Sequence, residues 1–127
     1  MLYARLGSHL FNLAKVLEMH LGRGEEYVEI FYGDENNSHR QVGPEEFLKP
    51  KEIAKFKDSI LDLEDDMVCF VKLGSHLVNL ARVLDIDIKK DSVDIYYDIA
   101  GEHTSIDRES IEPNALEELN AYAVAKA

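Results

Sequence analysis

Leu6-Gly7-Ser8-His9-Leu10-Phe11-Asn12-Leu13-Ala14-Lys15-Val16-Leu17 returns further along the chain as Leu73-Gly74-Ser75-His76-Leu77-Val78-Asn79-Leu80-Ala81-Arg82-Val83-Leu84. Ten of the twelve positions are identical, and the other two exchange Phe for Val and Lys for Arg. Self-similarity at a fixed offset marks a duplicated structural unit. Working outward, Tyr3-Ala4-Arg5 stands against Phe70-Val71-Lys72, and Glu18-Met19-His20-Leu21 against Asp85-Ile86-Asp87-Ile88. Val28-Glu29-Ile30-Phe31-Tyr32 then matches Val93-Asp94-Ile95-Tyr96-Tyr97, and His39-Arg40-Gln41-Val42 matches His103-Thr104-Ser105-Ile106. The repeat therefore fills nearly the whole chain, one copy in residues 1–66 and the other in residues 67–127.

Units below roughly 60 residues are marginal when they fold alone. The two copies are therefore expected to share one core as a single domain over residues 1–127, packed about a pseudo-two-fold axis. Two units are too few for a solenoid, which needs about three or more.

The clearest strand signals are Leu84-Asp85-Ile86-Asp87-Ile88 and Val93-Asp94-Ile95-Tyr96, where apolar and acidic residues alternate as in a sheet with one wet face. Lys89-Lys90-Asp91-Ser92 reads as their hairpin connection, and residues 102–107 as a third strand. In the first copy, residues 17–21, 27–32 and 38–42 take the same places. The repeated segment admits two readings. Leu6, Leu10, Leu13 and Leu17 fall at helical spacing, with Ser8 as cap and Gly22 as stop. The alternation at 84–88, however, begins where such a helix would still be running. The expectation adopted is a short strand over residues 3–6 and 70–73, a turn at Gly-Ser-His-Leu, and a longer strand from Asn12 or Asn79; a helix is the alternative. Each copy closes with a helix, after Pro50 and after Pro113, the first with Ile53, Phe56, Ile60 and Leu63 on one stripe and the second with Leu116, Leu119 and Tyr122. The expected class is α+β, two strand-rich β-β-β(-β)-α units.

Hydrophobic residues make up 46% of the chain, which excludes a disordered one. The only cysteine, Cys69, has no internal partner for a disulfide. With no signal-peptide pattern and no run near the roughly 20 apolar residues of a membrane span, the expected location is cytoplasmic, with no membrane contact. Net charge is −11, and both copies are acidic. Such a surface opposes phosphate backbones, so no direct nucleic-acid binding is expected; it suits a basic protein partner. Phe70-Val71-Lys72, Ser75, Leu77-Val78-Asn79-Leu80 and Val83 resemble the later half of the LytTR DNA-binding domain of bacterial response regulators. That likeness spans about a dozen residues and comes without the basic surface DNA binding requires, so no function is carried across.

No catalytic or cofactor motif is present. Ser8-His9 and Ser75-His76 are sequence neighbours, and neighbours on a strand point to opposite faces, which suits turn and cap roles better than nucleophile and base. His9, His20, His39, His76 and His103 match no zinc spacing, so no metal is expected. Asn12 and Asn79 lie among apolar neighbours and must be hydrogen-bonded if buried, and Gly7 and Gly74 suit a positive-φ turn. With Ser8 and Ser75 these are read as structural. Arg5, Lys15, Lys72 and Arg82, with His9 and His76, are the candidates for a small anionic ligand between the copies. The expected function is a non-enzymatic binding or regulatory module without a cofactor. It recognises another macromolecule, as an acidic inhibitor or nucleic-acid mimic would, or assembles with itself as a homo-oligomer. The anion-binding protein is the alternative.

Overall fold

The computed structural model describes residues 2–22, 27–33, 39–42, 50–63, 65, 68–99 and 101–121, with the backbone alone for 39–42. The fold is α+β. The strands are β1 (Tyr3–Leu6), β2 (His9–Asn12), β3 (Val16–Leu21), β4 (Val28–Tyr32), β5 (His39–Val42), β6 (Phe70–Leu73), β7 (His76–Asn79), β8 (Val83–Ile88), β9 (Ser92–Tyr97) and β10 (His103–Asp107). Helix α1 (Pro50–Leu61) follows β5, and α2 (Pro113–Ala121) follows β10.

Each repeated segment makes the same local structure. Gly7 and Gly74 have φ of 61° and 62°, the positive φ that both favoured two-residue hairpin turns demand at their first position. The turns close in equivalent registers, Leu6 opposite His9 and Leu73 opposite His76. Asn12 and Asn79 then end the hairpins by accepting a hydrogen bond from the backbone N–H two residues on, which starts a single 3-10 turn at Leu13–Lys15 and at Leu80–Arg82. The helical alternative is thereby set aside. The expected strands at 3–6 and 70–73 form, but the turn is only Gly-Ser long, and the strand that resumes at His9 or His76 is interrupted by the 3-10 turn.

Three sheets result: β1-β2 alone, β10-β9-β8, and the five-stranded β5-β4-β3-β7-β6. All pairings are antiparallel, and the five-stranded sheet joins the two halves through β3 and β7, with Glu18 opposite Val78, Met19 opposite Leu77 and His20 opposite His76. A closed two-fold pair requires β2 and β8 to meet in the same way. Instead, among the described residues, β2 pairs with β1 and β8 with β9, and the strand pairing between the halves is that of β3 with β7.

The buried apolar side chains gather into two clusters where a single shared core was expected. One holds Phe11, Leu13, Met19, Ile30 and the α1 residues Ile53, Phe56 and Ile60; the other holds Leu73, Val78, Val93, Ile95, Ile106 and Leu119 of α2. They exchange residues at the junction, Phe70 and Leu77 entering the first cluster and Leu17 the second. α1 supplies Ile53, Phe56 and Ile60 to the first cluster and α2 supplies Leu119 to the second, so each centre has its own closing helix. Of the expected helical stripes, Ile53, Phe56, Ile60 and Leu119 are buried, Leu63 and Leu116 are half-buried, and Tyr122 lies outside the described residues.

Candidate functional site

The junction of β3 and β7 sets Glu18 and His20 of the first half against Ser75, His76, Asn79 and Arg82 of the second. β3 is a central strand buried on both faces except at His20, so Glu18 is taken out of water with its apolar neighbours. Its carboxylate needs donors there. The Tyr97 hydroxyl donates to Oε2 at 2.8 Å and the Thr104 hydroxyl to Oε1 at 3.1 Å. His76 Nδ1 lies 3.8 Å from Oε2, close enough for its charge to matter but beyond hydrogen-bond reach. Across the strand pair the His20 and His76 rings stack with centroids 4.5 Å apart, and His20 Nε2 meets Ser75 Oγ at 2.9 Å.

Burial by itself raises the Glu18 pKa, but neighbouring His76 and the Tyr97 and Thr104 hydroxyls outweigh it and hold the carboxyl below its ordinary value of 4.5. Burial, reinforced by the Glu18 charge, drives the Tyr97 phenol far up, so it stays protonated and donates. Burial and the His76 charge lower the His20 pKa. A carboxyl with a depressed folded-state pKa contributes stability above its unfolded value, lost as pH falls through the folded value. Glu18→Gln is therefore expected to be less stable than the parent at neutral pH, with the gap closing below about pH 4.5. Urea melts of both proteins across the acidic range measure it; a gap independent of pH would show that Glu18 is not the ionised partner.

Asn79 and Arg82 fasten the same junction. Asn79 is buried; its oxygen accepts from the N–H of Cys69 and Ala81, and its amide donates to the carbonyls of Leu13 and Val16 at 3.3 and 2.9 Å. Arg82 makes a two-pronged bond to Asp98 at 2.6 and 2.8 Å and donates to the carbonyls of Ala14 and Gly33 at 2.9 and 3.4 Å. Arg82, a candidate for anion binding, is thus engaged with protein groups of both halves.

The other cations stand apart. Lys15 is exposed, Lys72 is half-buried on β6, and exposed Arg5 donates to the Gly7 carbonyl at 3.1 Å. Arg5 is the only one of the four on the open groove of about 410 Å³ between β1 and α1. His9 stacks on Phe11 and His103 on Tyr96, while the His39 side chain lies outside the described residues. Ser8 and Ser75 occupy the hairpin turns. Among the described residues no group of three or more His, Cys, Asp or Glu side chains is placed to hold a metal ion, and no helix is long and apolar enough to cross a membrane.

Glu18, Tyr97 and Thr104 are not singled out by sequence patterning. No local signal marks Glu18 as buried: Leu17-Glu18-Met19-His20-Leu21 alternates just as Leu84 to Ile88 does, although β3 is covered on both faces and β8 is not. Asp94, read from the alternation as part of a wet face, is buried instead and accepts from Lys89 at 2.7 Å and Ser105 at 2.6 Å. No family model matches the chain, and neither a curated protein nor a solved structure matches it.

Proposed function

We propose that this chain is a non-enzymatic binding module, a tandem duplication of one strand-rich unit, acting by recognising another macromolecule or by assembling with itself. The observation that carries this reading is what the repeat preserves. The repeated residues build the Gly-Ser turn, the Asn-capped 3-10 turn and the strand edges these deliver. Sheet edges present rows of unpaired N–H and C=O groups that another chain can extend. The buried Glu18 network supports a structural role for its members, because both carboxylate oxygens already accept hydroxyl bonds. Native mass spectrometry of the protein purified from its own host is expected to give a protein complex, homomeric or mixed. A monomer carrying a small ligand or metal would overturn the reading.

The net charge of −11 favours a basic partner over a polyanion. The chain is expected not to bind DNA or RNA, since phosphate neutralisation supplies most non-specific affinity. An anisotropy titration at low salt checks this, and micromolar binding that weakens steeply with added salt would refute it.

A further inference from the structure

The two smaller sheets are the two parts of a larger one. Within the chain, β5-β4-β3 of the first half continues into β7-β6 of the second. The equivalents of β5-β4-β3 are β10-β9-β8, and the equivalents of β7-β6 are β2-β1. These stand as separate three- and two-stranded sheets, ending in β8 and β2, whose outer edges pair with no strand among the described residues. A two-stranded sheet by itself is marginal in water.

The exposed apolar residues sit at those edges. Leu77, at the internal junction, is 0% exposed, whereas its equivalent Leu10 on β2 is 65% exposed. Leu17 is 3% exposed, whereas its equivalent Leu84 on β8 is 75% exposed. Ile88 is exposed where Leu21 is buried, and Asp85 is exposed where Glu18 is buried. Residues buried where the halves join are thus exposed where no partner joins.

We propose that a second copy of this chain docks its β2 edge on the β8 edge, head to tail, making a second five-stranded sheet in the order β10-β9-β8 followed by the second copy's β2-β1. This rests on the reading of the chain as a binding module and names the partner. The internal junction sets the register: Asp85 opposite Phe11, Ile86 opposite Leu10 and Asp87 opposite His9, in place of Glu18–Val78, Met19–Leu77 and His20–His76. In that register Asp87 lies directly opposite His9, with Asp85 as its diagonal neighbour, so two carboxylates face an imidazole that can donate to them. Leu17 packs in a cluster with Val71, Leu73 and Val78, and the corresponding seat for Leu84 is Ala4, Leu6 and Phe11 of the second copy. Ala4 faces Phe11 across its hairpin where Val71 faces Val78, a small-large pair replacing two medium residues. Ala4 and Leu6 also line the open groove beside α1. Asn12 accepts from Ala14 N–H, but among the described residues its amide donates to nothing; in the docked pair it donates to the neighbour's Leu80 and Val83 carbonyls, as Asn79 does to Leu13 and Val16. Because unlike edges meet, the contact repeats, closing into a ring or running on as a fibre.

Sedimentation velocity on the full chain, from low micromolar to near-millimolar protein, reads the association directly, and mass is expected to rise with concentration. Leu10→Lys and Leu84→Lys alter side chains exposed in the single copy, so each is expected to keep the parent's far-ultraviolet circular dichroism and to lose the heavy species. Mixed in equal amounts, they are expected to give a species of twice the monomer mass and no more, because one keeps an intact β8 edge and the other an intact β2 edge. A mixture that stays monomeric, or one that assembles without limit, would overturn the head-to-tail contact. An unsubstituted chain that stays monomeric throughout also overturns it; a different protein partner in the native mass spectrum would then leave the binding reading standing, and a monomer carrying only a small ligand or metal there would remove both.

Discussion

Leu77→Ala is expected to lower the stability of the chain by about 3 kcal/mol or more, whereas Leu10→Ala, at the matching place in the repeat, changes it by less than about 0.5 kcal/mol when measured on dilute monomer. Leu77 is wholly buried in the first core cluster although it belongs to the second half, because β7 lies beside β3 and opposite Met19. Truncating it removes apolar burial and leaves a cavity between close-packed neighbours that relax only partly. Among the described residues no strand lies across from Leu10 on that side, and the side chain is exposed, so alanine there loses little that water was not already touching. Denaturant melts of the two variants measure the difference. Equal losses would mean that Leu10 is buried in the monomer, through a β2–β8 contact within the chain.

Asn79→Ala is expected to cost about 3 kcal/mol, and Asn12→Ala about 1 kcal/mol. The Asn79 side chain satisfies four backbone groups, the N–H of Cys69 and Ala81 and the carbonyls of Leu13 and Val16, in a site closed to water. Removing it leaves buried donors and acceptors unpaired, which costs more than the bonds contribute. Asn12 supplies only the cap to Ala14, the ordinary contribution of one helix-start side chain. In a chain of this size the first loss corresponds to a fall of roughly 10 °C in melting temperature. Comparable melting of both variants would show that the Asn79 bonds across the junction add nothing to the cap.

The pairing of these four substitutions shows which parts of the fold can be read from the residues. Gly7 and Gly74 predict positive-φ turns, and both turns form. The alternation in Leu84 to Ile88 and Val93 to Tyr96 predicts strands, and Pro50 and Pro113 start the two helices. The Asn-capped 3-10 turns are harder to see, because three residues hold no period and the leucine spacing around them imitates a helix. Of the junction, Asn12 and Asn79 are legible as polar residues in an apolar stretch. Glu18 is not legible, because Leu17 to Leu21 alternates as Leu84 to Ile88 does and its donors Tyr97 and Thr104 lie far along the chain, where nothing in local spacing brings them to it.

The sequence by itself determined everything that depends on a few neighbouring residues: turn chirality, strand period, helix starts and the identical geometry of the two repeated segments. Backbone sterics and short-range hydrogen bonds settle these within a handful of residues, so equal sequences gave equal conformations. Only the tertiary structure decided that β3 pairs with β7 while β2 and β8 are left as edges. That choice makes Leu77 core and Leu10 surface, and makes Asn79 a four-bond tie and Asn12 a simple cap. Burial is a property of what lies across the strand, and two near-identical segments acquire different energies because different neighbours cover them.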